Sequence, residues 1–450
     1  MPDRTPPGPT ARRHAAAWLL GVALAALSGC GGGSGEAPPA SVSPPAPAPA
    51  PSPSPAPASP EAPPTAPPTA PPTAPPTAPP TDPLAPKLPG PPSPPLTLPG
   101  WPSPLPAGFP APRVPADNPM SVDKVELGRH LFFDDRLSGN RTMSCASCHQ
   151  PTLGFGQARR TPFGSTGQTL PRNSPPLANV AWFGSLTWGD DTTLTLEQQM
   201  HGPLFATQPV EMGVTPANRD EVLARFATAA PYPELFGRAF PNVPDPLSWD
   251  NLIRAIASFQ RALVSGDSRW DRAQRGELPL EAAELRGRDL FFSDRTGCAS
   301  CHGGPMFAEP TTFLGAPVGT AFHNVGLYNL GGTGGYPAPN RGLFERTGLP
   351  SDMGRMRTPS LRNVEVTGPY MHDGSVPTLA EVIAVYVAGG RDLQFGPNAG
   401  DGRTNPFKSP LVRPLDLTAS EQADLLAFLR TLTDAPFLTD PRFSNPFAPR

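Results

Sequence analysis

The sequence predicts a mainly α-helical protein with two tandem domains and long loops, preceded by a disordered proline-rich linker. Three observations support this prediction. The segment Cys-Ala-Ser-Cys-His occurs at residues 145–149 and again at residues 298–302. Apolar residues around both copies recur at helical spacing, and no segment shows the sustained alternation typical of a β-strand. A long stretch before the first copy is dominated by proline and alanine.

The repeated segment has the pattern C-x-x-C-H, which is the attachment motif of c-type haem. Two thiols bind the vinyl groups of one porphyrin, and the adjacent imidazole is placed to coordinate its iron. Zinc is an alternative, because C-x-x-C is also a zinc-binding spacing, and a disulfide is another in an oxidising compartment. Each copy has its own histidine, which favours haem. The predicted haem-binding residues are Cys145, Cys148, His149, Cys298, Cys301 and His302.

A nine-residue segment in front of each motif is also repeated. Residues 128–136 and 287–295 agree at seven of nine positions and share the core Leu-Phe-Phe. Repetition on this scale indicates that a whole structural unit occurs twice. We therefore predict two c-type cytochrome domains, over residues 117–275 and 276–450, with one haem c in each.

Each domain is predicted to begin and end with a helix, and in c-type cytochromes these two helices cross closely. Ser121 is the expected N-cap of the first helix. Gly128 lies on that helix and, lacking a side chain, suits a close crossing. Thr418 and Glu421 form an expected capping box at the last helix. The other three helices are expected over residues 251–264, 281–292 and 419–431.

The composition limits both the globular part and the class of partner. The chain has 450 residues, including 71 Pro and 44 Gly, and its formal net charge is -3. This balance offers no electrostatic case for binding nucleic acid. Residues 31–116 are rich in Ala, Pro, Ser and Thr, and include five Ala-Pro-Pro-Thr repeats. Such a segment is predicted to be a disordered spacer, because it buries too little apolar surface to offset its ordering entropy; an inert tail is the alternative. Within it, residues 101–116 are expected to dock on the folded part through Trp101 and Phe109.

Residues 1–30 resemble a lipoprotein signal peptide. Arg12 and Arg13 precede an apolar stretch over residues 15–27 that is too short to span a bilayer. The stretch ends in Leu-Ser-Gly-Cys, a lipobox-like sequence in which Cys30 would become the lipidated residue. The alternative is ordinary cleavage that leaves a free thiol. We expect an exported, periplasm-facing protein anchored by lipid to a membrane, with the outer membrane preferred.

The motifs, taken in order, resemble the bacterial di-haem cytochrome c peroxidases and their MauG-type relatives, which oxidise a partner protein. The resemblance covers residues 117–440. Its other pieces are Val125-Glu-Leu-Gly-Arg129, Arg172-Asn-Ser-Pro175, Leu196-Glu-Gln-Gln199, Glu211-Met-Gly213, Asp267-Ser-Arg-Trp-Asp271, Thr358-Pro-Ser-Leu-Arg-Asn363 and Met371-His-Asp-Gly374. It implies an N-terminal haem that reacts with hydrogen peroxide and a C-terminal haem that transfers electrons.

The resemblance also implies roles around the first haem. Glu211 matches the family's acid/base glutamate, Gln199 a distal amide and Pro203 a residue packed over the iron. Many of the peroxidases have a loop histidine that blocks this iron until the other haem is reduced. Ser165 occupies the matching position, so we expect no reductive activation, with His201 as the alternative blocking residue.

Around the second haem, the peroxidases use a methionine as second axial ligand. The matching residue is Tyr386, as in the MauG type, and Met371 is the alternative. Trp188 matches a tryptophan that relays charge between the haems, with Trp182 as the alternative. The family also binds one Ca²⁺ between the haems, and its ligands correspond to the Asn173 side chain and the carbonyl oxygens of Thr367 and Pro369.

These features predict an enzyme, a di-haem c-type cytochrome-c peroxidase that reduces hydrogen peroxide to water. Its electrons would come from a small redox protein, a cytochrome c or a cupredoxin, and pass from the C-terminal to the N-terminal haem. One alternative is a MauG-like oxidase that modifies an oxidisable partner protein. Another is a non-catalytic di-haem electron-transfer protein, which the acid/base residue Glu211 argues against.

Overall fold

The computed structural model describes Gly90 and residues 92–448, and helices dominate this part of the chain. The α-helices are α1 (Val122–Phe133), α2 (Leu196–Gln199), α3 (His201–Phe205), α4 (Arg219–Ala224), α5 (Tyr232–Ala239), α6 (Trp249–Ala262), α7 (Arg269–Gln274), α8 (Ala282–Phe292), α9 (Ala299–His302), α10 (Phe344–Thr347), α11 (Leu379–Val387), α12 (Ala419–Arg430) and α13 (Ala435–Leu438). The prediction of a mainly helical protein is confirmed.

Strands in the described residues are limited to two short antiparallel pairs. In the first pair β1 (Phe322–His323) lies against β2 (Met356–Arg357), with Phe322 opposite Arg357. In the second, β3 (Asp392–Leu393) lies against β4 (Gly400–Asp401). Short 3-10 turns cover Asp135–Leu137, Cys145–Ser147, Pro151–Leu153, Val180–Trp182, Pro350–Asp352, Val364–Val366 and Gly402–Thr404.

The predicted helix starts follow their capping residues. Ser121 Oγ accepts a hydrogen bond from the Lys124 amide at 3.1 Å, and Thr418 and Glu421 form the predicted capping box at α12. Helix α6 begins two residues before the predicted start, because the Ser248 hydroxyl accepts from the Asn251 amide. A serine three residues upstream thus supplies the N-cap that sets this boundary.

Two helix pairs cross closely, and each crossing is made at a glycine. Gly128 on α1 lies against α6, where an added Cβ would overlap the Ala255 carbonyl oxygen. Gly287 on α8 lies against α12 in the same way, at the Asp424 carbonyl. The predicted close crossing of α1 with α6 is confirmed, and the second pair repeats it because the same lead-in sequence places a glycine at the same position.

The described residues form two larger hydrophobic clusters. The first surrounds α1, α5 and α6, and includes the fully buried Leu127, Phe132 and Phe259. The second surrounds α8, α11 and α12, with Phe428 at its centre. Each such buried side chain contributes about 1.5–3 kcal/mol relative to exposure. The first cluster also contains Phe437 and Phe443 from the C-terminal end of the chain, so the proposed boundary at residue 275 is crossed by packing.

Residues 101–116 pack on the folded part, as expected from Trp101 and Phe109, and Leu98 packs there as well. Leu105 and Phe109 are buried, and the Phe109 ring meets Trp182 edge-on with centroids 5.4 Å apart. The Trp182 Nε1–H donates to the Pro110 carbonyl oxygen. Trp101 is partly buried against the first cluster. The Ala-Pro-Pro-Thr repeats earlier in the sequence contain no such large apolar residues. The rest of the linker, the signal peptide and Cys30 lie outside the described residues.

A second repeat, not recognised in the sequence, follows each C-x-x-C-H motif. Residues 174–180 (Ser-Pro-Pro-Leu-Ala-Asn-Val) and 358–364 (Thr-Pro-Ser-Leu-Arg-Asn-Val) are related. Asn179 and Asn363 both adopt left-handed backbone, with φ of 60° and 61°. Their amides donate to the carbonyls of Leu263 and Leu432, which follow α6 and α12. Asparagine tolerates this conformation better than most residues, so each loop is fastened to the end of a crossing helix.

No helix in the range from residue 92 to residue 448 is both long and apolar enough to cross a bilayer.

Candidate active site

The two C-x-x-C-H segments have the same local geometry. The His149 amide donates to the Cys145 carbonyl, and the His302 amide to the Cys298 carbonyl, each at 3.0 Å. This helical turn brings the two cysteines and the histidine to one side of the backbone. All four cysteines of the described residues are free thiols, and no group of three or more His, Cys, Asp or Glu side chains there could hold a metal ion.

Each motif histidine is oriented by a phenylalanine carbonyl. His149 Nδ1 donates to the Phe155 oxygen at 2.8 Å, and His302 Nδ1 donates to the Phe307 oxygen at 3.1 Å. Both phenylalanines are buried and adopt positive φ, 62° and 48°. Bulky residues rarely adopt this conformation, and strain of this kind concentrates at functional sites. The hydrogen bonds fix the ring tautomer and leave Nε2 as the nitrogen that can bind iron.

Burial keeps the histidine rings neutral and the thiols protonated in the folded chain. It lowers the pKa of His302 to about 4 and also lowers the pKa of His149. Burial raises the pKa of Cys145 to about 12, with Cys148 and Glu211 adding to the effect. A neutral imidazole is the form that coordinates a metal, so the surroundings suit coordination rather than charge.

Glu211 lies beside the first C-x-x-C-H motif. Burial, and then the Glu211 carboxylate, raise the pKa of Cys148 to about 11, so this carboxylate and thiol interact. Burial also raises the pKa of Glu211 itself. The Met212 amide donates to the Pro203 carbonyl at 2.9 Å, which brings Pro203 next to Glu211. Gln199 ends α2 directly before the helix that carries Pro203, and its side chain is half-buried.

Ser165 lies on the loop that borders Glu211. Its amide donates to the Glu211 carbonyl oxygen at 2.7 Å. The position from which a blocking histidine would act is therefore adjacent to the proposed acid/base residue, and a short hydroxyl occupies it. His201, the alternative blocking residue, is exposed and packs its ring against Phe205, with centroids 5.5 Å apart.

Tyr386 on α11 lines an apolar cavity together with Cys298, Cys301 and His302 of the second motif. Burial, followed by the thiols of Cys301 and Cys298, raises the pKa of its hydroxyl. The structure therefore brings the tyrosine and the second motif together. Met371 also lines this cavity. The cavity wall is mainly apolar and includes Phe291, Leu379, Val382, Ile383, Leu425 and Leu429.

Trp188 and Trp182 occupy different environments. Trp188 lines the same apolar cavity as Tyr386, and its Nε1–H donates to the Asn173 carbonyl at 2.8 Å. Trp182 is fully buried among apolar residues against Phe109. Trp188 is thus the tryptophan next to the candidate site, whereas Trp182 belongs to the hydrophobic core.

The three residues predicted to bind calcium also line the cavity that contains Tyr386 and Trp188. They are Asn173, Thr367 and Pro369. The Asn173 Nδ2 group donates to the carbonyls of Arg159 and Arg160 at 3.2 and 3.1 Å. These bonds leave the amide oxygen Oδ1 available for a cation. The sequence separates Asn173 from the other two by almost two hundred positions, so only the fold brings the set together.

Known proteins with similar sequences place this arrangement in a family. A family model described as di-haem cytochrome c peroxidase matches residues 122–278. The cytochrome-c peroxidase IdrP1 of Denitromonas iodatirespirans is 36% identical over 359 residues, which cover 75% of this chain and 89% of that protein. The chain belongs to the di-haem cytochrome c peroxidase family.

Two further relatives of this di-haem peroxidase are of the MauG type. The methylamine utilization protein MauG of Methylorubrum extorquens is 34% identical, with 72% of this chain and 81% of that protein covered. A crystal structure of a MauG-like protein associated with microbial copper homeostasis is 50% identical, with a TM-score of 0.75 and coverage of 76% of this chain and 97% of that one.

The residues of both C-x-x-C-H motifs fit the two haem c groups that the family implies. Each motif offers two thiols that form no disulfide and one histidine nitrogen on the same side of the backbone. At the second motif these groups line the apolar cavity that Tyr386 also lines. A porphyrin needs such an apolar, enclosed space, and c-type attachment needs free thiols. The chain is therefore a di-haem enzyme of the peroxidase class.

Three polar residues that line the cavity beside the second motif were not identified as site residues from the sequence. They are His323, Arg357 and His372. His323 is close enough to His302 to lower its pKa. His372 is buried, and its Nε2 has no hydrogen-bond partner in the described part of the chain. Isolated polar residues carry no sequence signal, although both Arg357 and His372 lie in or beside the segments that resemble the family.

Proposed function

We propose that this enzyme reduces hydrogen peroxide to water at the haem held by Cys145, Cys148 and His149. Two electrons and two protons are consumed for each peroxide, and two water molecules are formed. The electrons would reach this site through the haem held by Cys298, Cys301 and His302. One observation carries the proposal: a half-buried carboxyl group, Glu211, lies beside Cys148 of the first motif, next to Ser165 in place of a blocking ligand.

Glu211 is proposed to move the protons. When bound, the haem supplies the redox chemistry of O–O bond cleavage. The Glu211 carboxylate would accept a proton from one peroxide oxygen and donate it to the other, which then leaves as water. Its raised pKa brings its proton affinity closer to neutrality, which suits both halves of this transfer. Gln199 and Pro203 would confine the peroxide above the iron.

Tyr386 and Trp188 are proposed to serve electron transfer. Tyr386 would bind the iron of the C-terminal haem, and a phenolate ligand stabilises ferric iron relative to a thioether. Trp188 would relay charge between the haems, with its ring held by the Asn173 carbonyl. A Ca²⁺ ion bound by Asn173 and the carbonyls of Thr367 and Pro369 would keep this region rigid.

The electron donor has two candidates. A small redox protein, such as a cytochrome c or a cupredoxin, is the donor of an ordinary peroxidase. A partner protein that is itself oxidised is the donor of a MauG-type enzyme. Tyr386 favours the second, as does the 50% identity to the MauG-like protein associated with microbial copper homeostasis. We therefore place protein oxidation ahead of small-carrier oxidation.

The proposed location is the periplasmic side of a membrane. Cleavage before Cys30 and lipidation of its thiol would attach the enzyme, and the Ala-Pro-Pro-Thr repeats would hold it away from the membrane surface. A polyproline spacer rises about 3.1 Å per residue where extended. Both haems would then be accessible to peroxide and to protein donors.

Rapid mixing of the fully oxidised enzyme with hydrogen peroxide tests the open site. We expect an immediate change in the haem spectrum without prior reduction, because Ser165 cannot coordinate iron as histidine does. The matched variant Ser165→His restores the blocking group, and it should react only after one haem is reduced. If the unmodified enzyme also requires reduction, the open-site proposal is wrong.

A second experiment identifies the donor class. Reduced small cytochrome c or cupredoxin is supplied with peroxide, and its oxidation is followed at catalytic enzyme concentration. Rapid turnover with either carrier supports the ordinary peroxidase. Slow turnover, together with a peroxide-dependent mass change on a protein that binds the enzyme, supports the MauG-type reaction.

A further inference from the structure

Arg357 carries a buried charge that has no counterion in the described part of the chain. The residue is 9% exposed. One guanidinium nitrogen donates to the Thr358 carbonyl at 3.2 Å, while Nε has no partner. The group lies 4.8 Å above the Phe183 ring. Burial lowers its pKa to about 10, so it remains a cation at neutral pH.

Other buried arginines of this protein are paired with a carboxylate. Arg362 binds Asp271 at 2.9 Å, and Arg261 binds Glu197 at 2.6 Å. A charge left unpaired in a protein interior is strongly unfavourable, and such groups are normally paired or bound to a ligand. Arg357 departs from this pattern, so its surroundings point to an anion that the described part of the chain does not supply.

The location of Arg357 identifies that anion. Arg357 lines the cavity beside the second C-x-x-C-H motif together with Cys298, His302 and Tyr386, and it also lines a smaller adjoining cavity with Phe183. Its backbone amide donates to the Trp188 carbonyl at 2.9 Å, which fixes β2 against the proposed electron relay. Haem c bears two propionate carboxylates on the porphyrin edge away from its thioether bonds. Arginine matches a carboxylate with two parallel N–H donors.

We propose that Arg357 anchors a propionate of the C-terminal haem and raises the reduction potential of that haem. The Nε–H and one Nη–H would donate to the carboxylate oxygens. A positive charge beside the porphyrin stabilises the ferrous form, which carries one more electron. Arg357 would thereby oppose the phenolate of Tyr386, and the potential of this haem would reflect both residues. Arg357 acts through the cofactor and is a positioning residue.

Spectroelectrochemical titration of the intact di-haem protein provides the test, because both haems stay attached through their thioether bonds. In Arg357→Gln, the ferrous-to-ferric ratio of the C-terminal haem at fixed potential should fall at least tenfold, equivalent to a decrease of 59 mV for a one-electron couple. Arg357→Lys keeps the charge and should change the ratio less than threefold. An unchanged ratio in Arg357→Gln would overturn the proposal.

The control is Arg355→Gln, which removes an exposed charge two residues away. The Arg355 side chain is 42% exposed, so water screens its charge and the ratio should stay within threefold of the unmodified protein. If Arg355→Gln shifts the ratio as strongly as Arg357→Gln, overall charge is responsible and the anchor is excluded.

Two further measurements remain decisive if Arg357→Gln does not fold. Resonance Raman spectra report the propionate bending bands, which should differ between Arg357→Lys and the unmodified protein, because lysine offers a point charge in place of two parallel donors. Identical bands would contradict the anchor. Replacing chloride with a bulky anion at constant ionic strength tests for a free anion at this position. A potential that varies with chloride concentration would assign the site to that ion.

Discussion

At the scale of single residues, Glu211 combines burial with a place beside a haem-binding cluster. Glu211→Gln keeps the shape of the side chain but cannot accept a proton. We expect the rate of the peroxide reaction to fall by roughly 10²–10⁴, the usual contribution of a positioned acid/base group. Rapid-mixing kinetics measures the rate. Glu234→Gln removes an exposed carboxylate on α5 and should leave the rate unchanged.

The same residue determines the expected pH dependence. Burial raises the pKa of Glu211, and only the carboxylate form accepts the peroxide proton. The rate should therefore rise with pH through a pKa above the ordinary value of about 4.3 for glutamic acid. The limb should vanish in Glu211→Gln. A limb that persists in this variant would assign the proton transfer to another group.

At the scale of elements, the two helix crossings depend on glycine. Gly287→Ala introduces a methyl group that overlaps the Asp424 carbonyl oxygen of α12. The helices must separate to accommodate it, so unfolding free energy should fall by about 1–3 kcal/mol, as for other overpacked sites. Chemical denaturation of the haem-loaded protein measures the change, and Gly128→Ala should behave alike at α6.

Gly237 supplies the matched control, because it lies within α5 and an added Cβ would have nothing within 4 Å. Gly237→Ala should stabilise the protein by about 0.5–1 kcal/mol, since alanine loses less backbone entropy in a helix. If both substitutions destabilise equally, general helix effects rather than the crossing explain the result.

At the scale of the whole molecule, the C-terminal segment joins the two hydrophobic clusters. Asp434 Oδ2 accepts from Ser265 Oγ, the Gly266 amide and the Asp267 amide, at 2.8–3.0 Å. These bonds hold the connection between α6 and α7 while Phe437 and Phe443 enter the first cluster. The arrangement fixes the two haem-binding halves as parts of one packed unit, which the proposed electron transfer between them would require.

Attachment to a membrane is the prediction that concerns the full chain. Cells that produce the unmodified protein should retain it in the membrane fraction, through the lipid on Cys30. Cys30→Ser removes the acceptor thiol and should shift the protein to the soluble fraction with both haems present. A haem-stained gel of the two fractions measures the distribution. Membrane association that survives the substitution would contradict the lipobox interpretation.

Local sequence was sufficient for features that depend on neighbouring residues. Ser121, Thr418 and Glu421 cap helices as predicted, because capping bonds join groups three positions apart. The α1–α6 crossing followed from Gly128 and the known architecture of the family. The docking of residues 101–116 was predicted from Trp101 and Phe109, but their partners could not be named, because Trp182 and its neighbours lie far along the chain.

By itself, the sequence determined the two haem-binding motifs, the helical class and the family, because each is encoded in contiguous residues or in their order. Only the tertiary structure decided which distant groups share a cavity. It placed Tyr386 in one cavity with Cys298 and Cys301, and left Arg357 buried with no carboxylate partner among the described residues. The physical reason is that burial and electrostatic pairing depend on three-dimensional neighbours, and a charged residue reads the same in a sequence whether water, a carboxylate or a cofactor surrounds it.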